Sequence, residues 1–177
     1  LPVWTYLFYD GQSLWVACRN ETTPGMKLKN EVRGRDEDLR KDDHFQFWLD
    51  AGRTGRTYYK FFTNAAGVLY DAFLIDASYD SSAAVKTAVD DRGWTAAMRI
   101  PLADVGRPVP TAGTVWSFNA ATRTGTDHSW APVLGGYHTP EQFSDLVFGT
   151  SETVPARMRS FRPIRVGDNV VEIDVPS

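Results

Sequence analysis

Apolar and polar residues alternate along much of this chain with a period of two. The clearest case is the run Lys41-Asp42-Asp43-His44-Phe45-Gln46-Phe47-Trp48-Leu49-Asp50. In an extended strand Phe45, Phe47 and Leu49 point to one side, and His44, Gln46 and Trp48 to the other. The first set suits a sandwich core. The second is polar and aromatic, the character of a sheet face that touches something flat and rich in hydroxyls. Segments 4–8 and 14–19 predict two strands joined by a turn containing Asp10-Gly11, a strong hairpin signal. Residues 20–41 carry Pro24, Gly25 and Gly34 and predict a long loop with room for one short strand. Further strands are expected at 57–64, 68–74, 85–89, 93–100 and 115–123, with a closing core strand around Phe143 and 146–148. In 93–100, Trp94, Ala96, Met98 and Ile100 share the inner face, Pro101 ends the strand, and 102–105 predicts one helical turn. In 115–123, Trp116, Phe118 and Ala120 face in, while Ser117, Asn119, Ala121 and Arg123 face out. No long segment has a helical period. Eight or nine short strands with regular turns predict an all-β fold, an antiparallel β-sandwich of the jelly-roll or immunoglobulin-like kind.

Composition narrows the partners. A chain of 177 residues with 42% hydrophobic residues builds its own core without disulfides or structural metals. Residues 1–154 read as the sandwich. Residues 155–177 read as a linker, bent at Phe161-Arg162-Pro163, plus a terminal strand within 169–175 that completes this domain or opens the next. The start at Leu1, with no signal-like segment, is expected of an excised domain or mature fragment. A net charge of −3 gives no electrostatic case for nucleic acid or an anionic membrane. No apolar run approaches the roughly 18 residues of a membrane span. The single cysteine, Cys18, reads as a small buried strand residue.

Catalytic motifs are sparse. There is no Gly-x-Ser-x-Gly, phosphate loop or dinucleotide glycine pattern. Asp42 and Asp43 are adjacent, so in a strand they point apart and do not share one bond. His44, His128 and His138 lack zinc-site spacing. Asp36, Glu37, Asp38, Asp42 and Asp43 crowd one loop and Asp76 and Asp80 another, which suits either a hard cation or a solvated acidic loop. Asp36, Asp38 and Asp42 are the calcium candidates. In the late loop 128–143, Gly135-Gly136 makes a bend, with Tyr137 and His138 just beyond it. Tyr137 there either stacks on a sugar ring or pins the loop to the body.

Several of these runs occur in an order that resembles the family 9 carbohydrate-binding modules and their DOMON-like relatives. They are Tyr9-Asp10 before Leu14-Trp15-Val16-Ala17, the 41–50 run, and Gly93-Trp94-Thr95-Ala96-Ala97-Met98-Arg99-Ile100-Pro101. Trp116-Ser117-Phe118-Asn119 and Pro140-Glu141-Gln142-Phe143-Ser144-Asp145-Leu146-Val147-Phe148 follow. The set covers about residues 3–150. The resemblance implies a calcium-containing sandwich that binds sugars without cleaving them, often at chain ends, between two tryptophans. Counting back from Phe143 puts the late-loop tryptophan at Tyr137, so that wall is aromatic here. Counting back from Asp43 puts the other near Arg40, so that wall is lost. The acidic position of the next strand falls on Gln46, and the basic position of the following strand near Phe62, two residues from Lys60.

The expected ligand face therefore carries Gln46, Trp48, Lys60, Phe62, Asn119 and Arg123, with Arg40, Tyr137 and His138 at its rim. Arginine forks bind hydroxyls or a uronate carboxylate, so an acidic or substituted saccharide is the expected ligand. The expected function is a non-catalytic carbohydrate-binding module of a larger carbohydrate-active protein, and the resemblance implies a secreted one, extracellular or periplasmic. The alternative is a structural domain that has lost sugar binding and packs against its neighbours. A b-type haem protein, as some relatives are, would need methionine with His or Lys; Met98 reads as core, and Met26 and Met158 stand in no such arrangement. A hydrolase lacks the motifs.

Overall fold

The computed structural model describes residues 2–149 and two short strands beyond them. The strands among the described residues are β1 Val3–Tyr9, β2 Ser13–Glu21, β3 His44–Asp50, β4 Tyr59–Asn64, β5 Leu69–Phe73, β6 Ala84–Asp90, β7 Gly93–Pro101, β8 Val115–Thr124, β9 Thr126–Ser129, β10 Ser144–Val147, β11 Arg157–Met158 and β12 Ile173–Asp174. Among the described residues the helical segments are single turns at Leu39–Lys41, Leu102–Val105 and Pro140–Gln142. All pairings between strands are antiparallel. One sheet has the order β1-β2-β7-β6 and the other β10-β8-β3-β4-β5. The free edge of β8 is shared, its first half pairing with β10 and its second with β9.

The two sheets enclose one core. Leu14, Val16 and Cys18 of β2 and Trp94, Ala96, Met98 and Ile100 of β7 face Phe45, Phe47 and Leu49 of β3, Phe61 of β4 and Trp116, Phe118 and Ala120 of β8. The period-two pattern dictates this placement, because alternate residues must share a face. Each of the larger aliphatic and aromatic side chains contributes roughly 1.5–3 kcal/mol by leaving water. The antiparallel sandwich and the inner face of every strand named from the sequence match the expectation. Cys18 is buried, and burial pushes its thiol up to about 12.

Three details differ. The loop 22–38 contains no strand. β9 was not anticipated, because its sequence Thr-Asp-His-Ser has no hydrophobic alternation. The third concerns β3, whose seven residues are all buried, so its second face is not an open sheet surface. A second apolar cluster covers it: Leu39, Trp48, Tyr58, Phe62, Val68, Ala121 and Phe143, with Val32, Tyr70, Leu74 and Tyr137 packed at its border.

Of the expected division at 154, only β11 and β12 lie within the described residues, where they pair with each other. The expected bend at Phe161-Arg162-Pro163 lies outside them, as does all of the strand expected within 169–175 except Ile173–Asp174.

Candidate functional site

Strands β3, β4, β5 and β8 set side chains in rows across the sheet. One row runs Lys60–Trp48–Asn119, the next Tyr70–Phe62–Gln46–Ala121, and the third Asn64–His44–Arg123. The loop ahead of β3 rises on one side with Asp36, Asp38, Leu39 and Arg40. The late loop closes the other with Tyr137 and His138, and Arg123 with Asp127 stands at the end. Between them lies a cleft of about 520 Å³.

The loop ahead of β3 is held by two carboxylates. Asp42 accepts hydrogen bonds from the backbone N–H groups of Glu31 and Val32, at 2.9 and 3.0 Å, and from Asn64 Nδ2 at 2.8 Å. Burial raises its carboxyl pKa, but these donors outweigh burial and leave it lowered. Asp43, on the other side of the backbone, accepts from Lys29 N at 2.8 Å and Gly125 N at 3.2 Å. The paired aspartates thus act as clamps for two loops.

The floor is aromatic. Phe62 is stacked on His44 at 5.6 Å and meets Trp48 edge-on at 5.4 Å, while Tyr70 tilts against it at 5.7 Å. His44 Nδ1 donates to Asp42 O at 2.8 Å, so in the neutral ring Nε2 is the acceptor, and it receives the Gln46 side-chain amide. Burial holds the His44 pKa below its usual value, in keeping with this neutral tautomer.

Charges at the cleft are unevenly matched. Arg40 pairs with Asp38 at 2.8 Å, an interaction that holds the Asp38 carboxyl at about 2. Arg123 pairs with Asp127 at 2.7 Å. Lys60 has no carboxylate within ion-pair distance among the described residues. Its Nζ lies 4.2 Å from the Phe62 ring centroid and 4.8 Å from that of Tyr70. Burial, and then the charge of Arg40, lower its pKa. It is a partly desolvated ammonium with donors to spare.

The late loop is tied down at several points. Leu134 N donates to Gln142 Oε1 at 2.6 Å, Thr139 Oγ1 donates to Gly136 O at 2.8 Å, and Tyr58 Oη lies 2.5 Å from His138 Nδ1. These ties place Tyr137 flat on Trp48, with ring centroids 4.6 Å apart.

Eight of the nine side chains expected at the ligand face line the cleft: Arg40, Gln46, Trp48, Lys60, Phe62, Arg123, Tyr137 and His138. Asn119 does not. It is fully buried beside Trp48, and its Oδ1 accepts from Ala131 N at 2.9 Å, anchoring the start of the late loop. Asp36, Asp38, Asp127, His44 and Tyr70 also border the cleft and were not among the expected ligand residues. Tyr70 was readable from the alternation of β5; Asp127 was not, since β9 was unseen.

The calcium candidates do not converge. Asp38 faces Arg40 and Asp42 is a loop clamp. Asp36 instead gathers with Asp71 and Asp80, carboxylate oxygens all within 4.8 Å of one another. Arg35 reaches all three, at 3.3 Å to Asp36, 2.9 Å to Asp71 and 2.5 Å to Asp80. Three carboxylates around one guanidinium are hard oxygen donors of the kind calcium takes.

No family model matches the chain, and no curated protein matches it. Solved structures do. The chain has the fold of the family 9 carbohydrate-binding modules. One module of that family from Caldicellulosiruptor kristjanssonii, solved with glucose, superposes with a TM-score of 0.63 at 15% identity, over 86% of this chain and 79% of that one. The same source's family 9 module with cellotriose gives 0.63 at 16% identity with the same coverage. A protein provisionally named carbohydrate-binding, from Bacteroides uniformis, gives 0.65 at 17% identity over 82% and 78%.

Proposed function

We propose that this chain is a non-catalytic carbohydrate-binding module of a larger, secreted carbohydrate-active protein, and that it binds its saccharide in the cleft over β3, β4 and β8. The observation that carries this reading is the cleft itself: an aromatic floor of Phe62 and Tyr70, with Trp48 beneath Tyr137, edged by hydrogen-bonding side chains. Aromatic faces pack on the C–H side of a pyranose while polar groups take its hydroxyls. The fold is shared with modules solved with glucose and cellotriose. Among the described residues no helix is long and apolar enough to cross a membrane.

The ligand is acidic or carries a substituent that accepts hydrogen bonds. Arg40 and Arg123 are already engaged by Asp38 and Asp127, so the charge left for a ligand carboxylate is that of Lys60. Calcium, which the resemblance implies, would be held by Asp36, Asp71 and Asp80 and would serve as a tie between the loop ahead of β3 and β5.

Calorimetric titration with cello-oligosaccharides and with oligogalacturonates tests the reading. The expected result is binding of both, tighter for the uronates, weakened at least tenfold for both by Phe62→Ala. Lys60→Met should abolish the uronate advantage alone. Equal affinity for neutral and acidic sugars would remove the charge assignment; no binding of any saccharide would remove the function.

A second reading is a structural domain that orients neighbours. It is favoured by the outer face of the four-stranded sheet, where Tyr6, Phe8 and Trp15 are 46%, 52% and 37% exposed and Phe8 pairs directly with Trp15.

A further inference from the structure

Two buried donors beside the cleft have no acceptor. Trp48 Nε1 and Asn119 Nδ2 lack hydrogen-bond partners among the described residues, in side chains only 1% and 0% exposed. Native proteins leave few such groups, because each carries an uncompensated desolvation penalty. These two are neighbours, since Trp48 and Asn119 are directly paired across β3 and β8. Lys60 pairs with Trp48 from the other side. An ammonium, an indole N–H and an amide NH₂ therefore come from three adjacent strands in one row, at spacings of roughly 5 Å. Of the three, Lys60 and Trp48 line the cleft, and Asn119 lies buried behind them.

What covers this row is Tyr137. Its ring is stacked on Trp48 with planes inclined by 22°. Below the loop, Ser129 Oγ donates to Ala131 O at 2.7 Å and lies 3.3 Å from Asn119 Oδ1. A flat ring on the indole with a hydroxyl at its edge is also a description of a bound pyranose. The preceding Gly135 and Gly136 both have positive φ, 85° and 119°, and the backbone ties of the loop involve Leu134 and Thr139 rather than Tyr137. Rotation of the Tyr137 side chain removes the ring that is stacked on Trp48.

We propose that Trp48 is the floor of an inner sugar subsite that Tyr137 covers in the free protein. A pyranose stacks on the indole, and its hydroxyl oxygens accept hydrogen bonds from Trp48 Nε1 and Asn119 Nδ2. This rests on the saccharide-binding reading above and adds a position and a conformational step to it.

The test is a titration of ¹⁵N-labelled protein with cellotriose and with trigalacturonate, following the indole N–H signals. The Trp48 signal, identified by its loss in Trp48→Phe, should move on saturation with the sugar that binds. Trp48→Phe keeps a ring but removes the donor, and should weaken that sugar about 3- to 10-fold. A dispersed amide spectrum of the variant shows that it folds. Sugar binding with a stationary Trp48 signal would overturn the subsite and leave the module reading intact. If neither sugar binds the wild-type protein, both fall.

Discussion

The ring of Tyr137 rests on the ring of Trp48, 4.6 Å between centroids and 22° from parallel, so a loop residue seals a tryptophan that belongs to the sheet. Tyr137→Ala removes a stack worth about 0.5–1.5 kcal/mol and lets water reach the indole. The expected outcome is a melting temperature lower by a few degrees and a red shift in tryptophan emission. An unshifted spectrum would show that the indole stays covered without the tyrosine.

Asp42→Ala deletes the shared acceptor of Glu31 N, Val32 N and Asn64 Nδ2. Donors stranded in this way cost about 1–3 kcal/mol each when water cannot replace the carboxylate. The variant should lose about 3 kcal/mol or more in urea unfolding. Asp38→Ala removes a solvent-exposed partner of Arg40 and should change stability by less than about 1 kcal/mol. Similar losses for both would contradict the clamp role of Asp42.

Gly93 begins β7 at φ 147°, and a Cβ there would lie 2.0 Å from the backbone oxygen of Asn20. The neighbour is main chain in the paired strand β2, so it cannot rotate away. Gly93→Ala should lower stability by more than about 2 kcal/mol through strain and a broken strand end. Gly11→Ala, where nothing lies within 4 Å, should cost only the strain of its positive φ. Thermal melts of the two variants decide the point.

Acid should weaken the fold beginning just below pH 6.5. Burial lowers the pKa of His44 from 6.5, and likewise those of His128 and His138. Between the folded and unfolded pKa values the unfolded chain holds more protons, so stability falls as the pH drops through that window. For His44 burial comes first and the charge of Arg123 adds to it. Melting temperature measured from pH 7.5 to 5 should decline, and less steeply in His44→Asn. An identical slope would place the sensitivity elsewhere.

Arg35 and calcium compete for the same carboxylates in the proposed cation site. Millimolar calcium should raise the melting temperature of Arg35→Ala more than that of the wild type, and Asp71→Asn should suppress the rise. A calcium effect that persists in Asp71→Asn would move the ion away from this cluster.

The sandwich was legible in the sequence because alternation survives wherever a strand has one core face. Phe45, Phe47 and Leu49, or Trp94, Ala96, Met98 and Ile100, could only point inward together. The cleft was legible for the same reason: Gln46, Trp48, Lys60 and Phe62 had to share the opposite face. What alternation cannot convey is what lies on top of a face. Trp48 was expected to be open and is 1% exposed, because Tyr137, from a loop far along the chain, stacks on it. Asn119 was expected on an open face and is buried, its Oδ1 anchoring Ala131 and its Nδ2 without a partner among the described residues. The partner choice of acidic loop residues was equally hidden: Asp36 joins Asp71 and Asp80 through loop geometry that no spacing encodes.

The strand β3 lines the core with one face and floors the cleft with the other. A slip of one residue in its pairing would exchange Phe47 for Trp48 and bury Gln46 among the core aromatics. Errors in assembly and errors in recognition are therefore the same event here, and any molecule that has folded has also set its cleft floor in register. Diversification of what the cleft accepts is correspondingly channelled to the rim, to Arg40, Tyr137 and His138, where a replacement alters the visitor without rewriting the wall behind it.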